Sequence, residues 1–137
     1  MRKALFSLAA AVIAFGVPAL SLSAASAASS PTLGCNVQPS ENDNFNSVCS
    51  TSDAADTYGV TFLVQGAAGT SSFAWTVPSG ITVADGCTST SDLCVIDVRA
   101  VAEDQRPTVS VVVTQNGSSV SLSARALINA VCGNVSC

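Results

Sequence analysis

The sequence predicts an all-β chain folded as a disulfide-stapled antiparallel β-sandwich. Three observations carry this reading. Apolar side chains recur with a period of two from residue 57 onward, and no segment after the leader holds a helical period. The alternating runs have the length of strands and are separated by Ser-, Gly- and Asp-rich turns at sandwich-like spacing. Six cysteines, Cys35, Cys49, Cys87, Cys94, Cys132 and Cys137, all follow an export-type leader, and an even count in that setting reads as three cystines.

The leader comes first in the chain. Residues 1–27 open with Arg2 and Lys3, continue through an apolar stretch from Ala4 to Leu20, and close on Ala25-Ser26-Ala27. That order fits a secretory signal peptide with an A-x-A cleavage site. Gly16 and Pro18 interrupt the apolar run and no basic stop-transfer flank follows, which argues against a membrane anchor. The mature protein is therefore expected to be secreted, at the cell surface, in the periplasm or in the medium. It keeps about 110 residues, one domain's worth, enough for a single modest core.

Residues 28–56 read as a polar arm, rich in Ser, Asn and Asp, with one strand expected around Leu33 to Val37 and Cys35 and Cys49 as tethers. The sandwich is expected over residues 57–137. Tyr58, Val60, Phe62 and Val64 alternate with polar positions in its first strand. Phe73, Trp75 and Val77 mark the next, which stops at Pro78-Ser79-Gly80. Ile81 and Val83 form a short strand ended by Asp85-Gly86, and Cys94, Ile96 and Val98 oppose Val95, Asp97 and Arg99. Val109, Val111 and Val113 follow Pro107, a residue suited to a strand's first position. Val120, Leu122, Ala124 and Ala126 complete the pattern, after Gln115-Asn116-Gly117-Ser118, a strong two-residue hairpin signal.

Charge and residue inventory exclude several function classes. Without the leader, three cations (Arg99, Arg106, Arg125) stand against nine acids, a net −6, compared with −4 for the full chain. Such a surface repels phosphate backbones, so nucleic acid and anionic lipid are poor partners and a basic partner suits better. The chain has no His, and its only Lys is Lys3, so neither a Ser-His-Asp triad nor a Ser-Lys dyad can be assembled. Asp56-Thr57-Tyr58-Gly59 has Tyr where an aspartic-protease motif takes a small residue, and it has no second copy. Glu103-Asp104 reads as a solvated turn rather than half of a glycosidase pair. The cysteine spacings lack zinc knuckles, and Glu41, Asn42, Asp43 and Asn44 lack the spacing of a calcium loop. No enzyme activity, catalytic residue, metal or cofactor is expected.

From Tyr58 to about Ile128 the chain resembles the PKD-type immunoglobulin-like domains of bacterial extracellular proteins. The resemblance is to their variant with a W-T-V-P-x-G core strand, here Trp75-Thr76-Val77-Pro78-Ser79-Gly80, followed by a short I-T-V strand, an alternating strand and a V-x-V-x-V hairpin. It implies an immunoglobulin-like sandwich used for extracellular scaffolding or for protein and carbohydrate contact, and it supplies no catalytic residues. In such sandwiches a Trp on the third strand packs between the sheets, and Trp75, the only Trp, shares its face with Phe73 and Val77. Burial between the sheets is expected for it, in preference to sugar stacking at the surface.

Cystines between neighbours in sequence, Cys35–Cys49, Cys87–Cys94 and Cys132–Cys137, are the favoured pairing, with an arm-to-tail bond to Cys35 as the competing arrangement. Two surfaces then carry distinctive chemistry. One is the ring closed by Cys87 and Cys94, presenting Thr88, Ser89, Thr90, Ser91, Asp92 and Leu93. The other is the acidic arm from Glu41 to Asn46, where Phe45 is a lone apolar side chain with no strand pattern to bury it. The expected function is a secreted, non-catalytic binding or structural surface module that contacts an extracellular protein or glycan through these loops. The alternative is a protease inhibitor or toxin-like effector acting through the ring, because a constrained loop lowers the entropy cost of binding.

Overall fold

The computed structural model describes residues 30–40, 44–132 and 135–136. The leader at 1–27, the acidic residues Glu41 to Asp43 and the Cys132–Cys137 pairing lie outside the described residues. In chain order the strands are β1 (Thr32–Gln38), β2 (Val48–Ser50), β3 (Thr57–Gln65), β4 (Ser71–Thr76) and β5 (Thr82–Gly86). They continue with β6 (Leu93–Arg99), β7 (Thr108–Gln115), β8 (Ser118–Leu127), β9 (Val131–Cys132) and β10 (Val135–Ser136). No helix occurs among the described residues.

Two four-stranded sheets build the domain. The first runs β1-β3-β6-β5 and is antiparallel throughout. The second runs β2-β8-β7-β4. β9 and β10 form a separate small antiparallel pair. Four strands in the order A-B-E-D facing a C-F-G set is the arrangement of a constant-type immunoglobulin sandwich. Here β1, β3, β6 and β5 occupy the first set and β4, β7 and β8 the second.

The period of two explains the packing. Successive strand side chains point to opposite faces, so one alternate set from each strand turns inward. Leu33, Cys35 and Val37 of β1 lie opposite Val64, Phe62 and Val60 of β3, and all six are buried. Cys94, Ile96 and Val98 continue the layer on β6. From the second sheet Phe73, Val109, Val111, Val113, Ala124 and Ala126 meet them. Tyr58 is also buried, and its hydroxyl finds polar partners at the sandwich end: it donates to the Asp53 carbonyl and accepts from Ala55 N–H, each at 3.1 Å. The hairpin turn forms as read, with Asn116 and Gly117 both at positive φ (51° and 78°), the conformation a type I′ turn demands.

Four expectations are corrected. The arm is part of the sandwich, because β1 pairs with β3 along its whole length and β2 pairs with β8. A boundary at 56/57 therefore passes through one packed unit. The strand at Leu33 to Val37 was legible, but the polar composition around it and the three-residue length of β2 concealed that both strands belong to the sheets. The second sheet is mixed rather than antiparallel, because β2 enters parallel to β8, with Val48 to Ser50 opposite Arg125 to Leu127. The Ile81–Val83 strand begins one residue later, and a bulge between Val83 and Asp85 leaves Val83 exposed at the sheet edge. Trp75 faces the core as predicted but is only partly buried. It sits on β4, an edge strand with a neighbour on one side only, so a ring of its size overhangs the margin.

Candidate binding site around the 87–94 ring

Both predicted cystines within the described residues are present: Cys35–Cys49, joining β1 to β2 across the sheets, and Cys87–Cys94. The second closes a ring between β5 and β6, with its Cα atoms 4.2 Å apart. Entry to this ring needs an unusual backbone. Gly86 and Cys87 both take positive φ (66° and 54°), and a Cβ at Gly86 would overlap the Leu93 carbonyl. Glycine alone tolerates both conditions together. Inside the ring, Cys87 N–H donates to the Leu93 carbonyl at 2.9 Å. The Ser91 hydroxyl donates to that same carbonyl at 2.8 Å and accepts from Leu93 N–H at 3.2 Å. These bonds satisfy a tight turn locally, which is why Ser suits position 91.

The ring is also tied to both sheets. The Asp92 carbonyl accepts from Val64 N–H on β3 at 2.9 Å. Ser89 C=O accepts from Phe73 N–H on β4 at 3.0 Å, and Ser91 C=O accepts from the Trp75 indole N–H at 2.9 Å. The ring thus lies across the free edge of β4 and bridges it to β3. Three of its carbonyls point into the fold, while the side chains of Thr88, Ser89, Thr90 and Asp92 remain exposed and those of Ser91 and Leu93 are partly covered. Trp75 therefore holds the ring as well as packing on the core. Trp75→Phe should retain most of the packing and lose the indole bond. The expected cost is about 1 kcal/mol, with faster hydrogen exchange at Phe73, checked by denaturant unfolding and exchange NMR.

Beside the ring is a groove of about 390 Å³, lined by Thr90 and Asp92 of the ring, by Gly66 and Gly69 of the β3–β4 turn, and by Ser71 and Phe73 of β4. Among the described residues its one charged lining side chain is an acid, Asp92. A larger hollow of about 640 Å³ lies against Asp56, Arg99 and Val131, where acid and base share the wall.

Phe45 is placed differently from expectation. It is partly buried, and its backbone lies directly on Gly34: a Cβ there would come within 2.7 Å of Phe45 Cβ and 2.8 Å of its carbonyl carbon. Asn46 fixes the segment by bridging Cys35, whose N–H donates to the Asn46 carbonyl at 2.7 Å. The glycine in β1 makes the space that the Phe45 backbone occupies. Gly34 pairs with Leu63, and Leu63 with Leu93, all pointing away from the core. Phe45, Leu63 and Leu93 thus share one partly exposed row on the outer face of the first sheet, and this row runs into the ring. Sequence reasoning missed Leu63. Its signal was the unbroken run Phe62-Leu63-Val64, where a strand with one wet face would carry a polar residue.

Among the described residues, no cluster of three His, Cys, Asp or Glu side chains is placed to hold a metal. No helix among them is long and apolar enough to cross a membrane. No family model, curated protein or solved structure matches the chain.

Proposed function

We propose that this protein is a secreted, non-catalytic binding module of the PKD-type immunoglobulin-like kind, whose recognition surface is the 87–94 ring and the groove beside it. One observation carries the reading. The ring backbone is fixed by bonds to β3 and β4, while four polar side chains project from it into solvent. A loop held in this way loses little conformational freedom on binding, so its side chains can spend their hydrogen-bonding capacity on a partner. Hydroxyls of Thr88, Ser89 and Thr90 with the carboxylate of Asp92 suit a polar partner without negative charge. A basic group of an extracellular protein or the hydroxyls of a glycan both fit that description. The adjoining row of Phe45, Leu63 and Leu93 offers apolar contact next to the polar ring, the composition of a protein-docking surface.

The inhibitor reading is less well supported. A protease-directed loop presents an extended backbone to the enzyme, whereas the carbonyls of Ser89, Ser91 and Asp92 are committed inward.

The test is binding to a glycan array and to proteins of the native culture envelope, using wild type and the Asp92→Asn and Thr90→Ala variants. Loss of at least about tenfold in affinity at unchanged Tm supports the ring, since removing a charge-assisted contact costs about 1.5–3 kcal/mol. Capture that both variants retain in full places recognition elsewhere. Replacing Thr88 to Ser91 wholesale with glycine is a poor substitute, because the Ser91 hydroxyl holds the turn and that variant should lose stability.

A further inference from the structure

A sandwich of open sheets has four edges, and three of them are blunted here. The ring and Trp75 cover β4. A bulge and Asp85 interrupt β5. Asn46 bridges β1. Among the described residues the fourth edge, β8, is covered at its end alone, where β2 pairs with Arg125 to Leu127. Among the described residues, 118–124 of β8 pair with β7 alone.

This stretch carries none of the usual guards of an open edge. Ser118-Ser119-Val120-Ser121-Leu122-Ser123-Ala124 has no charge, no proline and no bulge, and its register with β7 is unbroken. Val120, which belongs to the inward set, is 37% exposed, and no described strand lies beyond it. The direction of the free groups follows from the ladder. Ala126 N–H bonds to Pro107 ahead of β7, whereas Arg125 N–H bonds to Ser47 on the opposite side. Odd-numbered residues of β8 therefore aim their N–H and C=O groups at the open edge, and these are Ser119, Ser121 and Ser123.

We infer that this edge pairs with the same edge of a second copy, antiparallel about a two-fold axis at Ser121. That register places Ser119 opposite the partner's Ser123 and Ser121 opposite the partner's Ser121. These serine pairs join residues whose backbone groups face the edge, so each exchanges both ladder hydrogen bonds, and the pairs between them are the non-hydrogen-bonded ones. It also sets Val120 against the partner's Leu122 on the inward face. Pairing ends at Ala124 opposite the partner's Ser118, where β2 occupies the slot beside Arg125. The pairing is isologous and closes, so it gives a dimer and not a fibre. The paired segment carries no charge, so the seam brings no like charges face to face, and the net negative charge on each copy makes the association stronger at higher salt. The contact is small, so the dimer is a weak one.

Sedimentation equilibrium from about 10 μM to 1 mM, under non-reducing conditions, tests this. The weight-average mass of wild type should climb toward twice the monomer. Ser121→Pro removes an N–H that faces solvent in the monomer, where an edge strand tolerates proline, and should weaken association more than about tenfold. Ser121→Lys serves if the proline variant fails to fold, because it sets two ammonium groups opposite each other across the axis. The Tm of the variant used should stay within a few degrees of wild type. Wild type that remains monomeric overturns the inference and leaves the edge to a strand of another protein. Association that both variants retain overturns it too, since the interface then lies elsewhere. Ring variants such as Asp92→Asn should dimerise normally, which keeps this result separate from the binding proposal.

Discussion

Phe62→Ala is expected to cost about 3–5 kcal/mol of folding stability, the range for a buried phenylalanine whose cavity stays open. The side chain is fully buried in the middle of the first sheet. Its cross-strand neighbours on the inward face are Cys35 on β1 and Cys94 on β6, each one half of a cystine. Most core cavities shrink when neighbours lean in. Here both flanking side chains are tethered elsewhere, to Cys49 and to Cys87, so collapse is restrained and the cost should fall in the upper part of the range. Guanidinium unfolding of the oxidised protein measures it. At this domain size the change corresponds to a fall in Tm of at least about 12 °C. A cost under about 1.5 kcal/mol would falsify the packing described for the first sheet.

Removing the inter-sheet cystine, as Cys35→Ala with Cys49→Ala, should cost about 2–4 kcal/mol. Two terms contribute. The cystine closes a 14-residue separation, against 7 for Cys87–Cys94, and a doubled loop is worth roughly 0.6 kcal/mol more in closure entropy. The other term is local. β2 touches the second sheet through only three residue pairs, so the bond to Cys35 supplies much of what keeps it in place. Its loss should release Asn46 from Cys35 and uncover Gly34. Hydrogen exchange should show lost protection at Val48 to Ser50 and at Asn46, with Val111 and Val113 still protected. Uniform loss of protection would mean that the cystine holds the whole sandwich and not this corner. Unchanged stability would mean that β2 needs no staple.

The sequence was most informative where one face of a strand is dry and the other wet. The alternation of Tyr58 to Val64, of Cys94 to Val98 and of Val109 to Val113 identified strands and their buried faces together, because a slip of one residue would turn each apolar set outward. Asn116-Gly117 located the hairpin for an equally local reason, the need for two positive φ angles. Two cystines were readable from proximity, since short separations around turns close with little strain on the chain.

The remainder depended on contacts that no local pattern encodes. β2 is three residues long and parallel to a strand some 75 positions away, so nothing near it in sequence marks it as a strand. Phe45 stands among polar residues with no strand pattern around it, and the pairing of Asn46 with Cys35 lays its backbone over Gly34. Trp75 revealed its inward direction but not its depth, because depth depends on whether a neighbouring strand lies on both sides. The ring at 87–94 was legible as a constrained loop. That its carbonyls reach Val64, Phe73 and Trp75 was decided by how two sheets, each satisfying its own alternation, came to rest against each other. Side-chain periodicity specifies which face of a strand is buried. Which edges meet, and which stay open, is fixed only when the sheets pack.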